Sequence, residues 1–150
     1  MVNGCHRAAR GIRSGFTLME LVTALVMLGI LAAVVMPVYL DYKSDAKKAA
    51  CKGSLGAMRA AIFNYHAWKA TNSGGGRAMY PSIAQLGTVG TVLQDTMPDN
   101  PYDTDGTRNN IVDGTGVEKG AVTGAPGGWC YNPSNGQIWA NTNVAGENRF

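Results

Sequence analysis

A single carboxylate lies in the longest apolar stretch of the chain. Between Phe16 and Met36, Glu20 is the only side chain that can ionise. A charged group inside a membrane helix costs about 2.5–3.5 kcal/mol, so such a group is a functional candidate. Its most direct chemistry is pairing with an ammonium group away from water. The alternative is a glutamate near the membrane surface whose carboxylate reaches back to water.

Four aspartates in the C-terminal half form a second candidate group. They are Asp99, Asp103, Asp105 and Asp113. Carboxylate oxygens at this density suit Ca²⁺, so one hypothesis is a calcium site. The alternative is a set of aspartates that form turns. No other cofactor is expected.

The cysteines and histidines form no catalytic pattern. Cys51 and Cys130 follow the apolar stretch and allow one pairing, whereas Cys5 precedes it. In an oxidising compartment, a Cys51–Cys130 disulfide would stabilise the fold by roughly 3–5 kcal/mol, and the alternative is two separate buried thiols. His6 and His66 have no zinc-type spacing with a cysteine, and no Ser/His/Asp arrangement can be argued. We therefore expect no enzyme.

Residues 16–36 are long enough to cross a membrane as a helix. About 20 apolar residues cover the roughly 30 Å hydrocarbon core of a bilayer. Arg7, Arg10 and Arg13 precede this span, with no acidic residue among them. This asymmetry predicts a cytoplasmic N-terminus and a periplasmic or extracellular remainder.

The excess positive charge is confined to the first residues. Three of the 13 Lys and Arg residues precede Gly15, and the others balance the 10 Asp and Glu residues. The basic pI is therefore not a sign of nucleic-acid binding. A local cluster of Lys43, Lys47, Lys48 and Lys52 is better explained as a solvated helix face that meets lipid headgroups.

The residues around Gly15 resemble a known processing signal. The run Arg13–Gly15 followed by Phe16–Leu21 (RSG, then FTLMEL) is similar to the class III signal of type IV pilins and type II secretion pseudopilins. The resemblance implies that a membrane peptidase cuts between Gly15 and Phe16 and N-methylates Phe16. It also implies that Glu20 of one subunit pairs with the new Phe16 ammonium of its neighbour. A secretory signal differs, because its apolar stretch precedes the cleavage site.

The chain is then expected to have three parts. Residues 1–15 form the leader, residues 16–36 the transmembrane and filament-core helix, and residues 37–150 an amphipathic helix with a globular head. Pro37 lies at the second boundary, where it should kink or locally melt the helix. The resemblance also implies a proline near this position, with a role in assembly.

The remaining pattern predicts an α+β fold, in which the long N-terminal helix packs on a small C-terminal antiparallel β-sheet. The helix should extend to about Lys69, because Cys51, Leu55, Met58, Ile62 and Tyr65 form one apolar stripe. A turn with a short helix is expected over residues 80–86. Strands are expected over residues 110–113, 117–123, 129–132 and 137–141, with a hairpin turn joining the last two.

Segments 80–86, 97–102 and 129–141 also resemble parts of pseudopilin heads. A typical type IV pilin closes its last loop with two cysteines, and only Cys130 is present there. The favoured interpretation is therefore a structural filament subunit of a type II secretion pseudopilus. One alternative is a major or minor type IV pilin for adhesion, motility or DNA uptake. Another is a membrane-anchored periplasmic binding protein that does not polymerise.

The resemblance also implies the partners and the location. Expected partners are further copies of the chain in a helical filament, the prepilin peptidase, an inner-membrane assembly platform, other pilins or pseudopilins, and membrane lipid before assembly. Nucleic acid is not expected as a partner. The protein should cross the inner membrane once and then enter a periplasmic or extracellular filament.

Overall fold

A computed structural model describes residues 15–150 of the chain. It contains helix α1 (Leu18–Ala70), a 3₁₀-helix (Asn72–Gly74), helix α2 (Ile83–Gly87), strands β1 (Ile111–Asp113), β2 (Trp129–Asn132) and β3 (Gln137–Ala140), and a second 3₁₀-helix (Glu147–Arg149). The chain divides into two compact units between Asp41 and Tyr42, within α1. The predicted leader, with Arg7, Arg10, Arg13, Cys5 and His6, lies outside the described residues apart from Gly15.

The first unit is the apolar start of α1. Leucine, alanine and methionine favour helix, and the segment contains few glycine or proline residues, which would weaken it. Pro37 lies inside α1, with helical residues on both sides. Of the two expected outcomes at Pro37, a kink or local melting, the single chain shows no melting, and the behaviour of Pro37 in a filament stays a prediction.

In the second unit, α1 buries the predicted stripe. Cys51, Leu55, Met58, Ile62 and Tyr65 are the buried residues of the helix. Their spacing of three and four residues places them on one face, which packs in the core with Leu86, Met97 and residues of β2 and β3. The expected α+β architecture is confirmed.

The sheet is mixed, which corrects the prediction of an antiparallel sheet. β2 and β3 pair antiparallel, as the hairpin pattern predicted, but β1 pairs parallel with β2. Parallel neighbours require a long connection, and residues 114–128 supply it. No strand forms over 117–123, because this segment belongs to that connection and Gly116, Gly120 and Gly124 adopt positive φ.

Both faces of the hairpin are buried. Trp129 and Tyr131 belong to the core cluster that includes α1, whereas their neighbour Cys130 and its cross-strand partner Trp139 alternate to the other face. The 114–128 connection covers that face, where the Trp139 indole donates to the carbonyl of Ala121 at 2.9 Å. The sheet is thus enclosed by a helix on one side and an irregular connection on the other.

The predicted short helix is α2. Ser82 is its N-cap, and the Ser82 and Gln85 side chains bond each other's backbone amides in a capping box. The preceding turn is fixed to the sheet, because the Tyr131 hydroxyl donates to the carbonyl of Pro81 at 2.8 Å.

Candidate assembly site at the start of the first helix

The predicted processing site lies in an exposed segment. Gly15, Phe16 and Thr17 have no regular secondary structure, and α1 begins at Leu18. The Phe16 side chain is 90% exposed. Gly15, Phe16, Thr17 and Glu20 together line a shallow pocket. The structure therefore brings three of the predicted residues together and adds Thr17 to them.

Thr17 and Glu20 form a reciprocal cap on the first turn of α1. The Thr17 amide and hydroxyl each donate to Glu20 Oε2 at 3.0 Å. In return, the Glu20 amide donates to the Thr17 hydroxyl oxygen at 3.2 Å. The sequence interpretation missed Thr17, although a Thr-x-x-Glu pattern before an apolar run is the signal of a capping box.

The helix after this cap has an unusual surface. Its apolar start is long and hydrophobic enough to cross a membrane, with a mean hydropathy of 2.6 in the best window and none of that window buried. Large apolar side chains from Leu18 to Leu40 are at least 45% exposed. Such a surface requires lipid or other protein to cover it. Pro37 lies farther along this helix and does not line the pocket at its start.

The two cysteines of the described residues are free thiols. Cys51 faces the core from α1, while Cys130 lies on the opposite face of the sheet beside Trp139 and Gly114. Burial raises the pKa of the Cys51 thiol to about 11, with Glu147 adding to the effect and Arg59 opposing it. The disulfide alternative is therefore not the state of this structure, because the sheet separates the two side chains.

The four predicted calcium ligands have mostly local partners. Asp103 accepts from the amides of Asp105 and Gly128 and from the Thr107 hydroxyl. Asp113 accepts from the amide and hydroxyl of Thr115.

Only Asp99 and Asp105 of this set line one groove together, beside Arg108. Among residues 15–150, no group of three or more acidic, histidine or cysteine side chains could hold a metal. The calcium site remains a prediction.

Two charged residues that the sequence interpretation did not single out, the half-buried Arg59 and the buried Glu147, make hydrogen bonds near the end of the described chain. Arg59 donates to the carbonyls of Ile138 at 3.0 Å and Phe150 at 2.6 Å. The Glu147 carboxylate is fully buried and accepts from the amides of Val144 and Ala145. Arg59 thus connects Phe150 to α1 and β3, and Glu147 holds the turn that precedes it, without a disulfide.

Comparisons with known proteins find pilins and a pseudopilin. The chain is 28% identical to the fimbrial protein EcpC of Eikenella corrodens over 113 residues, 73% of this chain and 69% of that protein. It is 35% identical to the type IV major pilin protein PilE1 of Neisseria gonorrhoeae over 75 residues, 47% of this chain and 46% of the relative.

A third relative belongs to a secretion system. The type II secretion system core protein G of Pseudomonas aeruginosa is 43% identical over 53 residues, 35% of this chain and 37% of that protein. The chain thus spans less than half the length of the second and third relatives. No profile of a protein family and no solved structure matches the chain.

Proposed function

We propose that the chain is a filament subunit of a type II secretion pseudopilus, because the proteins that it resembles are a fimbrial protein, a type IV pilin and a type II secretion pseudopilin, which are structural proteins. The observation that carries the filament role is the apolar start of α1, whose side chains are exposed along its length. Lipid covers this surface before assembly, and the same helix of neighbouring subunits covers it afterwards.

Processing between Gly15 and Phe16 is the first step of the proposal. The segment around this bond is exposed and precedes the first helical residue. A peptidase can therefore reach the bond without unwinding α1. Cleavage converts the Phe16 nitrogen from an amide into an amine, which is the group that N-methylation would modify. Arg7, Arg10 and Arg13 would hold the uncut N-terminus on the cytoplasmic side.

Assembly would then use the new charge. The Glu20 carboxylate lies three residues inside an apolar helix and has Thr17 as its partner within the chain. An ammonium at Phe16 of a neighbouring subunit is a stronger partner in a water-poor filament core, because charge-assisted hydrogen bonds exceed neutral ones. The pair would set the axial position of each subunit. Pro37 would allow the helix to change shape as subunits enter the filament.

The head holds its last described residues by hydrogen bonds and not by a disulfide, which favours a pseudopilin over a pilin of a surface filament. Phe150 is held by Arg59, the turn before it is held by Glu147, and the two described cysteines are free. The second candidate is a type IV pilin, since the matches to EcpC and PilE1 cover more of this chain than the match to core protein G.

One experiment separates these functions. The chain is expressed with its prepilin peptidase and inner-membrane platform, in cells with and without an outer-membrane secretion channel. We expect short periplasmic filaments and loss of protein secretion when the chain is deleted. Long surface filaments with normal secretion would instead identify a type IV pilin. A processed chain that forms no filament in either strain would identify a membrane-anchored binding protein.

A further inference from the structure

A groove lies on the head between one side of α1 and the segment that follows α2. Its volume is about 470 Å³, which is within the range of small-molecule binding sites. One wall is formed by Ala57, Ala60, Ala61, Asn64 and Trp68 of α1, and the other by residues 91–94. Every side chain that lines the groove is uncharged. The groove shares no residue with the pocket at the start of α1.

Trp68 presents an aromatic surface in this groove. It is 49% exposed, whereas Trp129 and Trp139 are fully buried. Two neighbours contact the indole ring. The Lys69 Nζ atom lies 5.3 Å from a ring centroid of Trp68, and the Tyr65 ring lies 5.9 Å away at an angle of 51°. These contacts restrict rotation of the indole, so Trp68 offers a large apolar surface that is both fixed and accessible.

Neutral polar groups surround this surface. Asn64, Thr91 and Gln94 line the groove and are exposed. The two buried indoles of the chain donate hydrogen bonds to backbone carbonyls. Within residues 15–150, the Trp68 indole and the three polar side chains have no such partner. The groove therefore combines an aromatic ring with donors and acceptors that are free to bind a ligand.

The wall opposite α1 is a closed turn. Gly90 has a φ of +81°, and its amide donates to the carbonyl of Leu93 at 2.7 Å. Val92 and Leu93 pack against the hydrophobic core. This packing leaves Thr91 and Gln94 on the exposed side of the turn. The fold thus sets the positions of the hydrogen-bonding groups relative to the helix.

The composition of the groove favours a neutral saccharide. A pyranose ring has an apolar face of C–H groups, which stacks on an aromatic ring, and hydroxyl groups, which bind neutral donors and acceptors. A charged ligand would find no counter-charge among the lining residues. A proline-rich peptide needs a groove lined by several aromatic side chains. Of the described residues that line this groove, only Trp68 is an exposed aromatic, since Tyr65 is 8% exposed.

We propose that this groove binds a neutral saccharide. One pyranose ring stacks on Trp68, and its hydroxyl groups bond to Asn64, Thr91 and Gln94. The alanines on the α1 wall have short side chains, which leave room for the ring beside the helix. The proposal does not depend on the filament function, because every residue of the groove belongs to the head of one chain.

The full chain is tested in micelles of a detergent without a sugar headgroup. It is titrated with three neutral disaccharides, which are cellobiose, lactose and N,N′-diacetylchitobiose. Sorbitol is the control, because it carries hydroxyl groups but no ring. NMR follows the indole N–H signals of the 3 tryptophans. We expect at least one disaccharide to give a saturable shift at Trp68 alone, and to bind more tightly than sorbitol by about tenfold or more.

Variants test the two kinds of contact. Trp68→Ala should weaken binding of that disaccharide by about tenfold or more, because it removes the stacking surface. Phe63→Ala is the matched control and should leave binding unchanged, since Phe63 is 66% exposed on the same helix but does not line the groove. Gln94→Leu should weaken binding by about fivefold through the loss of a neutral hydrogen bond. The backbone amide of Thr91 reports binding in each variant, and urea unfolding shows that each is folded.

Three results would overturn the proposal. One is the absence of a saturable Trp68 shift with all three disaccharides. Another is equal affinity of the wild type and a folded Trp68→Ala variant. Decaproline is titrated in parallel, and saturable binding of decaproline without binding of any disaccharide would identify the groove as a peptide site.

Discussion

Thr17 and Glu20 use each other as hydrogen-bond partners at the first turn of α1. The carboxylate accepts from the amide and the hydroxyl of Thr17, and the Thr17 hydroxyl accepts from the amide of Glu20. The Phe16 ammonium of a neighbouring subunit, which is the proposed partner of Glu20, would therefore replace Thr17 as its hydrogen-bond partner or bind beside it. This contact lowers the cost of keeping a carboxylate in an apolar segment before a neighbour arrives.

Glu20→Ala should give a processed chain that assembles poorly. The substitution removes the only ionisable group between Phe16 and Met36, and with it the partner of a neighbouring ammonium. We expect a normal cleavage product and a fall in filament number of about tenfold or more, counted by electron microscopy.

Thr23→Ala is the matched control for Glu20→Ala. Thr23 lies one turn after Glu20, and its hydroxyl donates to the carbonyls of Met19 and Glu20, so its removal also alters this part of the helix. This variant should form filaments at the normal level. Normal filaments from Glu20→Ala would refute the assembly role of the carboxylate.

Gly15→Leu should leave an uncut precursor in the membrane. A Cβ at Gly15 would meet no atom of the chain within 4 Å, so the change has no direct steric effect on the protein itself. Loss of cleavage, measured by the mass of the membrane-bound chain, would then report on recognition by the peptidase. Gly29→Leu is a control in equally open space and should be cut. Efficient cutting of Gly15→Leu would contradict the proposed site.

Arg59→Met should destabilise the head. The variant loses hydrogen bonds to the carbonyls of Ile138 and Phe150, and hydrogen bonds from charged groups contribute about 1.5–3 kcal/mol. We expect the free energy of unfolding in urea to fall by about that amount. Lys48→Met, on the exposed side of the same helix, should change it by less than about 0.5 kcal/mol. Equal stability of the two variants would show that Arg59 does not secure the end of the chain.

Glu147 should make the stability of the head depend on pH. Burial alone would raise the pKa of Glu147, but hydrogen bonds from Thr142 and from the amides of Ala145, Glu147 and Val144 outweigh it. The pKa in the folded state therefore lies below the ordinary value of 4.5. The unfolded chain binds the proton more readily, so this contribution is present above pH 4.5 and is lost as the pH falls through the lower, folded-state pKa.

The measurement compares urea unfolding of the wild type and Glu147→Gln across this pH range. Asp103 and Asp113 also have lowered pKa values, so the difference between the two proteins isolates Glu147. We expect the wild type to lose more stability than the variant on acidification. Parallel curves would mean that Glu147 does not contribute to the pH dependence.

Cys51 and Cys130 should resist alkylation in the folded protein. Both are fully buried, and burial raises the pKa of both thiols, which lowers the fraction of reactive thiolate. In a Cys5→Ser background, we expect two labels after unfolding and almost none before it. A mass lower by two hydrogens in the purified chain, restored by reduction, would reveal a disulfide and contradict the separation of the thiols.

The sequence by itself determined the features that depend on neighbours along the chain. Periodicity and turn residues within short windows predicted the apolar span, the stripe from Cys51 to Tyr65, the short helix α2 and the β2–β3 hairpin. The Thr-x-x-Glu pattern also predicts the Thr17–Glu20 cap, although the sequence interpretation did not use it.

Only the tertiary structure decided the direction of β1 and the environments of the cysteines. β1 is parallel to β2 because the 114–128 connection carries the chain back across the sheet, and this path depends on distant packing. β2 has large apolar residues on both faces, so the alternation of its sequence does not reveal which face meets α1. The fold therefore decides that Cys51 and Cys130 lie on opposite sides of the sheet. Contacts between distant segments set both outcomes, and no short window of sequence contains them.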